Sequence, residues 1–312
     1  MKRCRLLLPL LLCLCLLPAC GGAPEAPPDS DAPPDSAVPS LDSDETPFCI
    51  PCRIVDGAED GALLLAALDG ALYGGPGDAL ADGQSVYLLP LTEEIPVFLD
   101  GEPASAGDLE DGMPVEIVFD GGIDDSFPAQ LGTVCSVSGY SLGSRQNPGG
   151  VLYDLCGLYL QVLDDLWQKD PALNEDISMA GLDLSQAPGG LLESEKAALA
   201  WRFGQLHGVE VVAGTFQELE EQGYFTSYPI STPAPEEGED FSRMWTQWED
   251  GCLFSITPNE GHEGELYSLP VVFFNAEKWR TPLAAYYFYG CSAVWPAMGT
   301  WSGYQIGGEM IS

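Results

Sequence analysis

The sequence predicts an α+β fold, in which a small, all-β, barrel-like domain over residues 49–143 precedes an α+β domain over residues 150–312. In the first region, short apolar or alternating runs are separated by Asp-Gly turns, a spacing typical of a small barrel or sandwich. In the second region, two amphipathic helical patterns come first, and strand-like runs follow from Trp245 onward. Helices followed by sequential strands indicate helices packed on one face of an antiparallel sheet.

The N-terminal segment Met1 to Arg5 is rich in cations and precedes the leucine-rich run Leu6 to Leu17. This order is typical of a secretory signal, and the run is shorter than the roughly 20 apolar residues that a membrane-spanning helix needs. Leu17-Pro-Ala-Cys20 and the two glycines behind it resemble a bacterial lipobox.

The lipobox resemblance implies that residues 1–19 are a lipoprotein signal peptide and that Cys20 is acylated. Lipid on Cys20 would then anchor the chain to the extracytoplasmic face of the cell membrane. The alternative is ordinary secretion, with Cys20 an incidental thiol. Residues 20–48 are rich in Pro, Asp and Ser and hold too little apolar surface to fold, so they predict a disordered tether.

The charge of the chain restricts its partners. The formal net charge is −37 at pH 7, with 48 acidic residues against 11 lysines and arginines. Because nucleic-acid binding depends on Lys and Arg neutralising phosphates, we expect no nucleic-acid partner.

The strands predicted for the first region are short. They are Leu63–Leu68, Val86–Leu91, Val97–Leu99, Val115–Phe119 and Val134–Val137. Asp100-Gly101, Asp111-Gly112 and Asp120-Gly121 are predicted turns between them.

A segment of this region has a familiar pattern. Leu109 to Leu131, with a turn at Gly112 and the tail Gly122-Ile-x-x-Ser-Phe-Pro-Ala-x-Leu131, resembles a small β-barrel domain of exported proteins of Gram-positive bacteria. That domain is similar to oligonucleotide/oligosaccharide-binding barrels. The resemblance implies a barrel that Phe127 plugs, and it implies no nucleophile or base.

Cys49-Ile-Pro-Cys52 has the spacing of a redox dithiol. Such chemistry needs the first cysteine at a helix N-terminus, where its pKa is lowered, whereas the following Arg53 to Gly57 predicts a strand and a turn. A structural disulfide or free thiols are therefore expected. Metal binding would need a second Cys-x-x-Cys pair, which the sequence lacks, so we expect no metal.

The second region begins with a helix, because apolar residues recur every three or four positions from Leu152 to Leu166, before Asp170-Pro171. A second helix is predicted over Glu193–Leu206, with Leu199, Phe203 and Leu206 facing inward, and a capping box over Thr215–Glu218. The predicted strands are Ile177–Leu184, Val209–Val212, Cys252–Ile256, Tyr267–Phe274, Ala284–Tyr289 and Thr300–Ile306.

This half resembles a domain that recurs in exported proteins of clostridial-type bacteria. The resemblance is carried by Leu163–Asn174, Glu195–Ala198, Ala276–Arg280 and Trp301–Ser312. Together with the lipobox it implies an exported lipoprotein family of Gram-positive bacteria, and it brings no catalytic mechanism.

Catalytic signatures are scarce in the sequence. His207 and His262 are the only histidines, and His-Glu-x-x-His and phosphate-binding glycine loops do not occur. We therefore expect no cofactor and single out no catalytic residue. Both histidines are expected to be structural or exposed.

Two further features concern the last third of the chain. Trp245, Trp248, Trp279 and Trp301 either line a ligand groove on the sheet or fill the core against the helices. Cys252 and Cys291 are expected on neighbouring strands, where they would form a disulfide after export.

These observations favour a membrane-anchored, extracytoplasmic lipoprotein with a binding or scaffolding role. They do not identify a ligand, and a glycan or a peptide is the candidate. A carboxylate-based, glycan-directed hydrolase is the first alternative. A thiol oxidoreductase using Cys49 and Cys52 is the second.

Overall fold

The computed structural model describes residues 47–57, 61–68, 85–141, 143–144, 154–230, 243–259, 271–294, 301 and 303–312. The predicted signal peptide, the lipidation site Cys20 and all but the last two residues of the predicted tether lie outside these ranges, as does His262. Within them the protein is mostly β, with two seven-stranded sheets, a two-stranded ribbon and three α-helices. The α+β class is therefore confirmed.

The first sheet has the strand order β3-β2-β1-β6-β7-β4-β5. All its pairings are antiparallel except that between β4 and β7. β3, the first strand in this order, also bonds to residues that precede β7. Leu88 N donates to Ala129 O at 3.1 Å, and Ala129 N donates to Val86 O at 2.9 Å. The strands are β1 (Phe48–Asp56), β2 (Ala62–Ala67), β3 (Val86–Pro90), β4 (Val97–Leu99), β5 (Glu102–Ala104), β6 (Pro114–Ile123) and β7 (Leu131–Gly139).

The turn predictions for this sheet have different outcomes. Asp100 and Gly101 both have positive φ, 52° and 89°, as a two-residue hairpin between β4 and β5 requires, so that turn is confirmed. Asp120-Gly121 is not a turn, because β6 continues through it with an irregular register opposite β7. Phe127 does not plug the interior, since it is 53% exposed; the buried alternating residues of β1 and β6 fill that space instead.

The second sheet has the order β15-β14-β13-β12-β8-β9, with β16 beside β14. The strands are β8 (Met179–Asp183), β9 (Glu210–Ala213), β12 (Gly251–Pro258), β13 (Val271–Thr281), β14 (Ala284–Val294), β15 (Tyr304–Gln305) and β16 (Gly308–Ile311), and the ribbon is β10 (Thr226–Ile230) with β11 (Arg243–Gln247). The helices are α1 (Leu155–Gln168), α2 (Glu193–His207) and α3 (Phe216–Glu221).

The prediction of a purely antiparallel second sheet was wrong. β12 pairs with β8 in parallel, and β8 pairs with β9 in parallel. The reason is that α2 connects β8 to β9. The helix carries the chain from the end of β8 back to the end of the sheet where β8 began, so both strands run in the same direction. The sheet is therefore mixed.

The predicted helical faces are largely confirmed. Tyr159, Val162 and Leu166 of α1 and Leu199 and Phe203 of α2 are fully buried. Leu206 is the exception at 45% exposure. The helix ends also match, because Gly208 has a φ of 66° as the residue that ends α2 and Thr215 with Glu218 forms the predicted capping box of α3.

The first sheet has a buried cluster of its own, and a second cluster joins it to the helices and the second sheet. Val55 and Leu64 of the first sheet lie in one buried cluster with Tyr159 of α1, Phe203 of α2 and Phe274 of β13. Residues Glu45–Ser312 form a single compact unit. Among the described residues, no helix has both the length and the apolar character to cross a membrane.

Candidate functional site

A cleft of 390 Å³ lies where the ends of the first sheet meet α1 and α2. We call it the junction cleft. It combines carboxylates, an arginine, a glutamine and an aromatic ring, and its lining consists of Val55, Asp56, Asp111, Asp154, Gly157, Leu160, Gln161, Asp164, Arg202, Leu206 and Trp301. Ligand sites are frequent at such junctions between structural units.

Asp154 is the most deeply buried carboxyl of the cleft, with 6% exposure. It precedes the first turn of α1, where Oδ1 accepts a hydrogen bond from Gly157 N at 3.0 Å. Oδ2 accepts from Nε1 of Trp301 at 2.8 Å. Burial raises the pKa of Asp154 to about 6, and the negative charge of Asp111 adds to this, against the hydrogen bonds and Arg53, which lower it.

Polar contacts hold α2 against the first sheet and thereby shape the cleft. Nε of Arg202 lies 2.5 Å from Oδ2 of Asp56 at the end of β1. Nε of Arg53 lies 2.8 Å from Oε1 of Glu195, whose side chain is 7% exposed. Ser194 Oγ donates to the backbone oxygen of Ala67 in β2 at 2.7 Å.

A second hollow of 440 Å³, the outer hollow, lies beside the junction cleft. The two share Asp56 and Asp111 as lining residues. Gly57 permits this arrangement, because a Cβ at this position would lie 2.6 Å from Oδ1 of Asp111. The outer hollow is lined by Asp56, Gly57, Ala106, Gly107, Leu109, Glu110 and Asp111.

Another cavity, of 330 Å³, lies at the carboxyl ends of β8 and β9, the edge of a parallel sheet where ligands often bind. Its described lining contains no aromatic side chain and no buried carboxyl, whereas the junction cleft has both in Trp301 and Asp154. We therefore regard the junction cleft as the stronger candidate.

His207 lies next to the cleft wall and has a structural environment. Its ring stacks on Trp167 with ring centroids 4.2 Å apart, and its Nε2 is 3.6 Å from Oδ1 of Asp164. Burial lowers the pKa of His207, while Asp164 acts in the opposite direction. The imidazole is thus favoured in its neutral form.

The four tryptophans do not form a common groove. Trp301 lines the junction cleft, whereas Trp248 is 1% exposed. Trp279 is half-buried and packs against the rings of Phe216 and Phe225, with centroids 5.0 and 5.4 Å away. Trp245 donates from Nε1 to Oε1 of Gln247 at 3.0 Å. The reason is that α3 and the residues after it cover the sheet face that would have formed the groove.

The predicted Cys252–Cys291 disulfide is not formed, and both thiols are free and buried. They lie on β12 and β14, which are separated by β13. Cys291 pairs with Phe274 of β13. Leu253, the residue after Cys252, pairs with Trp279 of the same strand, and Trp279 lies about 16 Å along the strand from Phe274. A disulfide requires Cα atoms within about 7 Å.

Cys49 and Cys52 both lie within β1. An odd spacing on a strand directs the two side chains to opposite faces, so they cannot form a small disulfide ring. Burial and the charge of Glu116 raise the pKa of Cys49, and burial raises that of Cys52 further. This placement argues against the thiol oxidoreductase hypothesis. Across the described ranges, no group of three or more His, Cys, Asp or Glu side chains is arranged to hold a metal ion.

We expect Asp154→Asn to change the pH dependence of stability. The folded pKa of about 6 lies above the ordinary value of 3.8, so the folded protein keeps this proton at a pH where the unfolded chain has lost it. The stabilisation that this retained proton adds to the folded state is fully present below about pH 4 and is lost as the pH rises through 6. Between pH 4 and pH 7, the free energy of unfolding of the wild type should fall by about 2–3 kcal/mol relative to the variant. Urea denaturation at both pH values measures this, and parallel pH profiles would contradict it.

Comparisons of the chain with protein-family models, with curated proteins and with solved structures found no match.

Proposed function

We propose that the chain is an extracytoplasmic lipoprotein, anchored through lipid on Cys20, whose folded part binds a glycan in the junction cleft. The observation that carries the proposal is the combination in one cleft of Trp301, aspartate acceptors, and the donors Arg202 and Gln161. Sugar hydroxyls both donate and accept hydrogen bonds, so they need both kinds of side chain. The apolar face of a sugar ring fits an aromatic side chain.

The alternative ligand, a cationic peptide, fits the cleft less well. Arg202 lies on the cleft wall and neutralises Asp56. The buried Asp154 already accepts hydrogen bonds from Gly157 N and from Nε1 of Trp301. The local negative charge is therefore smaller than the number of aspartates suggests. The outer hollow adjoins the cleft at Asp56 and Asp111, and a ligand of several sugar units could occupy both.

We also propose that the first sheet closes into a barrel. The hydrogen bonds between β3 and Ala129 support closure, because they link strands from the two sides of the sheet. A barrel of this kind agrees with the resemblance to oligosaccharide-binding barrels. In this proposal the acidic tether holds the barrel and the cleft away from the lipid.

Glycan binding is tested on residues 20–312 with Cys20→Ser, which removes the lipid. The protein is applied to a glycan array, and hits are measured by calorimetry. We expect Trp301→Ala to weaken binding by about tenfold or more, since it removes the aromatic surface. Trp245→Ala, outside the cleft, is the matched control and should bind as the wild type does. Lysine-rich peptides are measured by the same calorimetry. Binding to these peptides and to no glycan, or glycan binding that is unchanged in Trp301→Ala, would refute the proposal.

A further inference from the structure

We propose that the junction cleft also cleaves its glycan, with Asp154 donating a proton to the glycosidic oxygen and Asp111 activating the attacking water. This inference rests on the proposed function, because the same cleft must first bind a glycan. It assigns an activity, glycoside hydrolysis, and a role to each of two carboxyls.

The two carboxyls share the cleft and differ in their surroundings. Asp154 is 6% exposed, lies at the start of α1 and accepts from Nε1 of Trp301, whereas Asp111 is only partly buried and lines both the cleft and the outer hollow. Glycosidases use two such carboxyls, one as the acid and one as the base. Different environments assign the two roles, since the more buried carboxyl keeps its proton.

Asp154 has the means to hold and deliver a proton. Each of its oxygens accepts one hydrogen bond from a described residue, Gly157 N and Trp301 Nε1 respectively. A carboxylate oxygen offers two lone pairs, so one remains on each oxygen for a proton. The charged groups that act on Asp154 are Asp111, in the turn before β6, and Arg53 on β1.

The reaction balances with water as the only co-reactant. The bond between the anomeric carbon and the glycosidic oxygen breaks, and the Asp154 proton passes to that oxygen. The water oxygen bonds to the anomeric carbon, and its proton passes to Asp111. Exchange with solvent then returns both carboxyls to their starting states, and the products are two shorter sugars.

Aryl glycosides test the role of Asp154. The same protein, residues 20–312 with Cys20→Ser, is assayed on nitrophenyl and dinitrophenyl glycosides of glucose, N-acetylglucosamine, galactose and xylose in both anomeric forms. On a nitrophenyl glycoside that the wild type cleaves, Asp154→Asn should lower kcat/KM by about 10²–10⁴-fold. On the dinitrophenyl glycoside the loss should be less than about tenfold, because that leaving group departs without a proton.

Further measurements separate catalysis from structure. Asp120→Asn, an exposed aspartate on β6 outside the cleft, is the control and should keep full activity. In the wild type, kcat/KM should decline above about pH 6, where Asp154 loses its proton, whether or not the variant folds. An equal loss on both substrate types would overturn the role of Asp154.

The two proposals fail in different ways. Glycan binding without turnover of any glycoside in the panel, or of the bound glycan, would overturn hydrolysis and leave the binding proposal intact. Absence of glycan binding by the wild type would overturn both.

Discussion

Lys278→Met is expected to lower the free energy of unfolding by about 3 kcal/mol, because it removes the donor to the backbone oxygen of Lys169 and to Oδ1 of Asn174. Lys278 lies on β13 and is fully buried. Its Nζ lies within hydrogen-bond distance of four oxygens: the backbone oxygen of Lys169, Oδ1 of Asn174 at 2.7 Å, and the backbone oxygens of Trp167 and Asp170 at 3.3 and 3.2 Å. The last two also accept from Nδ2 of Asn174 and from Leu173 N. The carbonyls at the end of α1 have no partner within the helix.

The charge of Lys278 adds to this effect. Burial lowers its pKa to about 8, so the ammonium group is still predominantly protonated at pH 7. A cation at the C-terminus of α1 also interacts favourably with the helix dipole. Methionine is similar in size and apolar, so the variant keeps the packing and removes the donor.

The measurement is urea denaturation at pH 7, followed by circular dichroism. Lys196→Met is the matched control: its side chain pairs with the exposed Glu193 on α2, and it should cost less than about 0.5 kcal/mol. A value for Lys278→Met as small as that of the control would show that the buried lysine is not needed to end α1.

Glu195→Ala is the second change with a large expected effect, about 3 kcal/mol, because it removes the carboxylate that pairs with Arg53 where α2 meets the first sheet. Oε2 of Glu195 also accepts from Leu192 N at 2.8 Å at the start of α2, so the helix loses a cap as well. Arg53 keeps its bond to Gly112 O at 3.0 Å.

A double-mutant cycle separates the ion pair from the cap. Arg53→Met combined with Glu195→Ala removes both charges, so the double variant should be more stable than the sum of the two single changes predicts, by about 1 kcal/mol or more. Glu193→Ala, in the same turn and exposed at its side chain, is the control. Strict additivity would indicate that the pair contributes nothing to the junction.

Several features of the fold could be predicted from the sequence because they depend on local interactions. The apolar spacing of α1 specified which side it buries, and Thr215 with Glu218 specified where α3 begins. The Asp100-Gly101 turn followed from the tolerance of those residues for positive φ. The Asp120-Gly121 prediction was wrong because the same residue types also suit an irregularity within a strand.

The sequence contains a pattern that favours the parallel pairing in the second sheet. A predicted strand, a helix and a second strand occupy residues 177–212, an order that favours a parallel βαβ unit. The short strands β5, β10 and β16 were not predicted, and β11 was indicated only by the strand-like pattern that begins at Trp245. Their pairing depends on which neighbours the rest of the fold supplies.

The candidate site was the least predictable part. Among its residues, sequence analysis singled out Trp301, as one of four candidate aromatics. Asp154 carried a recognisable signal, an aspartate just before a helix, but that signal indicates a cap and not an unusual pKa. Asp111 lies in a turn that the sequence predicted only as a turn, and nothing in the sequence places it near Asp154.

By itself, the sequence determined the class of the fold, the positions of the helices and of most strands, and the expectation of a lipid anchor at Cys20, because these depend on residues close together in the chain. The tertiary structure decided that Cys252 and Cys291 lie on either side of β13, and that Trp248 and Trp279 belong to a core. It also brought Asp56, Asp111, Asp154 and Trp301 into one cleft. Burial and the nearby Asp111 charge, which raise the pKa of Asp154, arise only when these distant segments pack together.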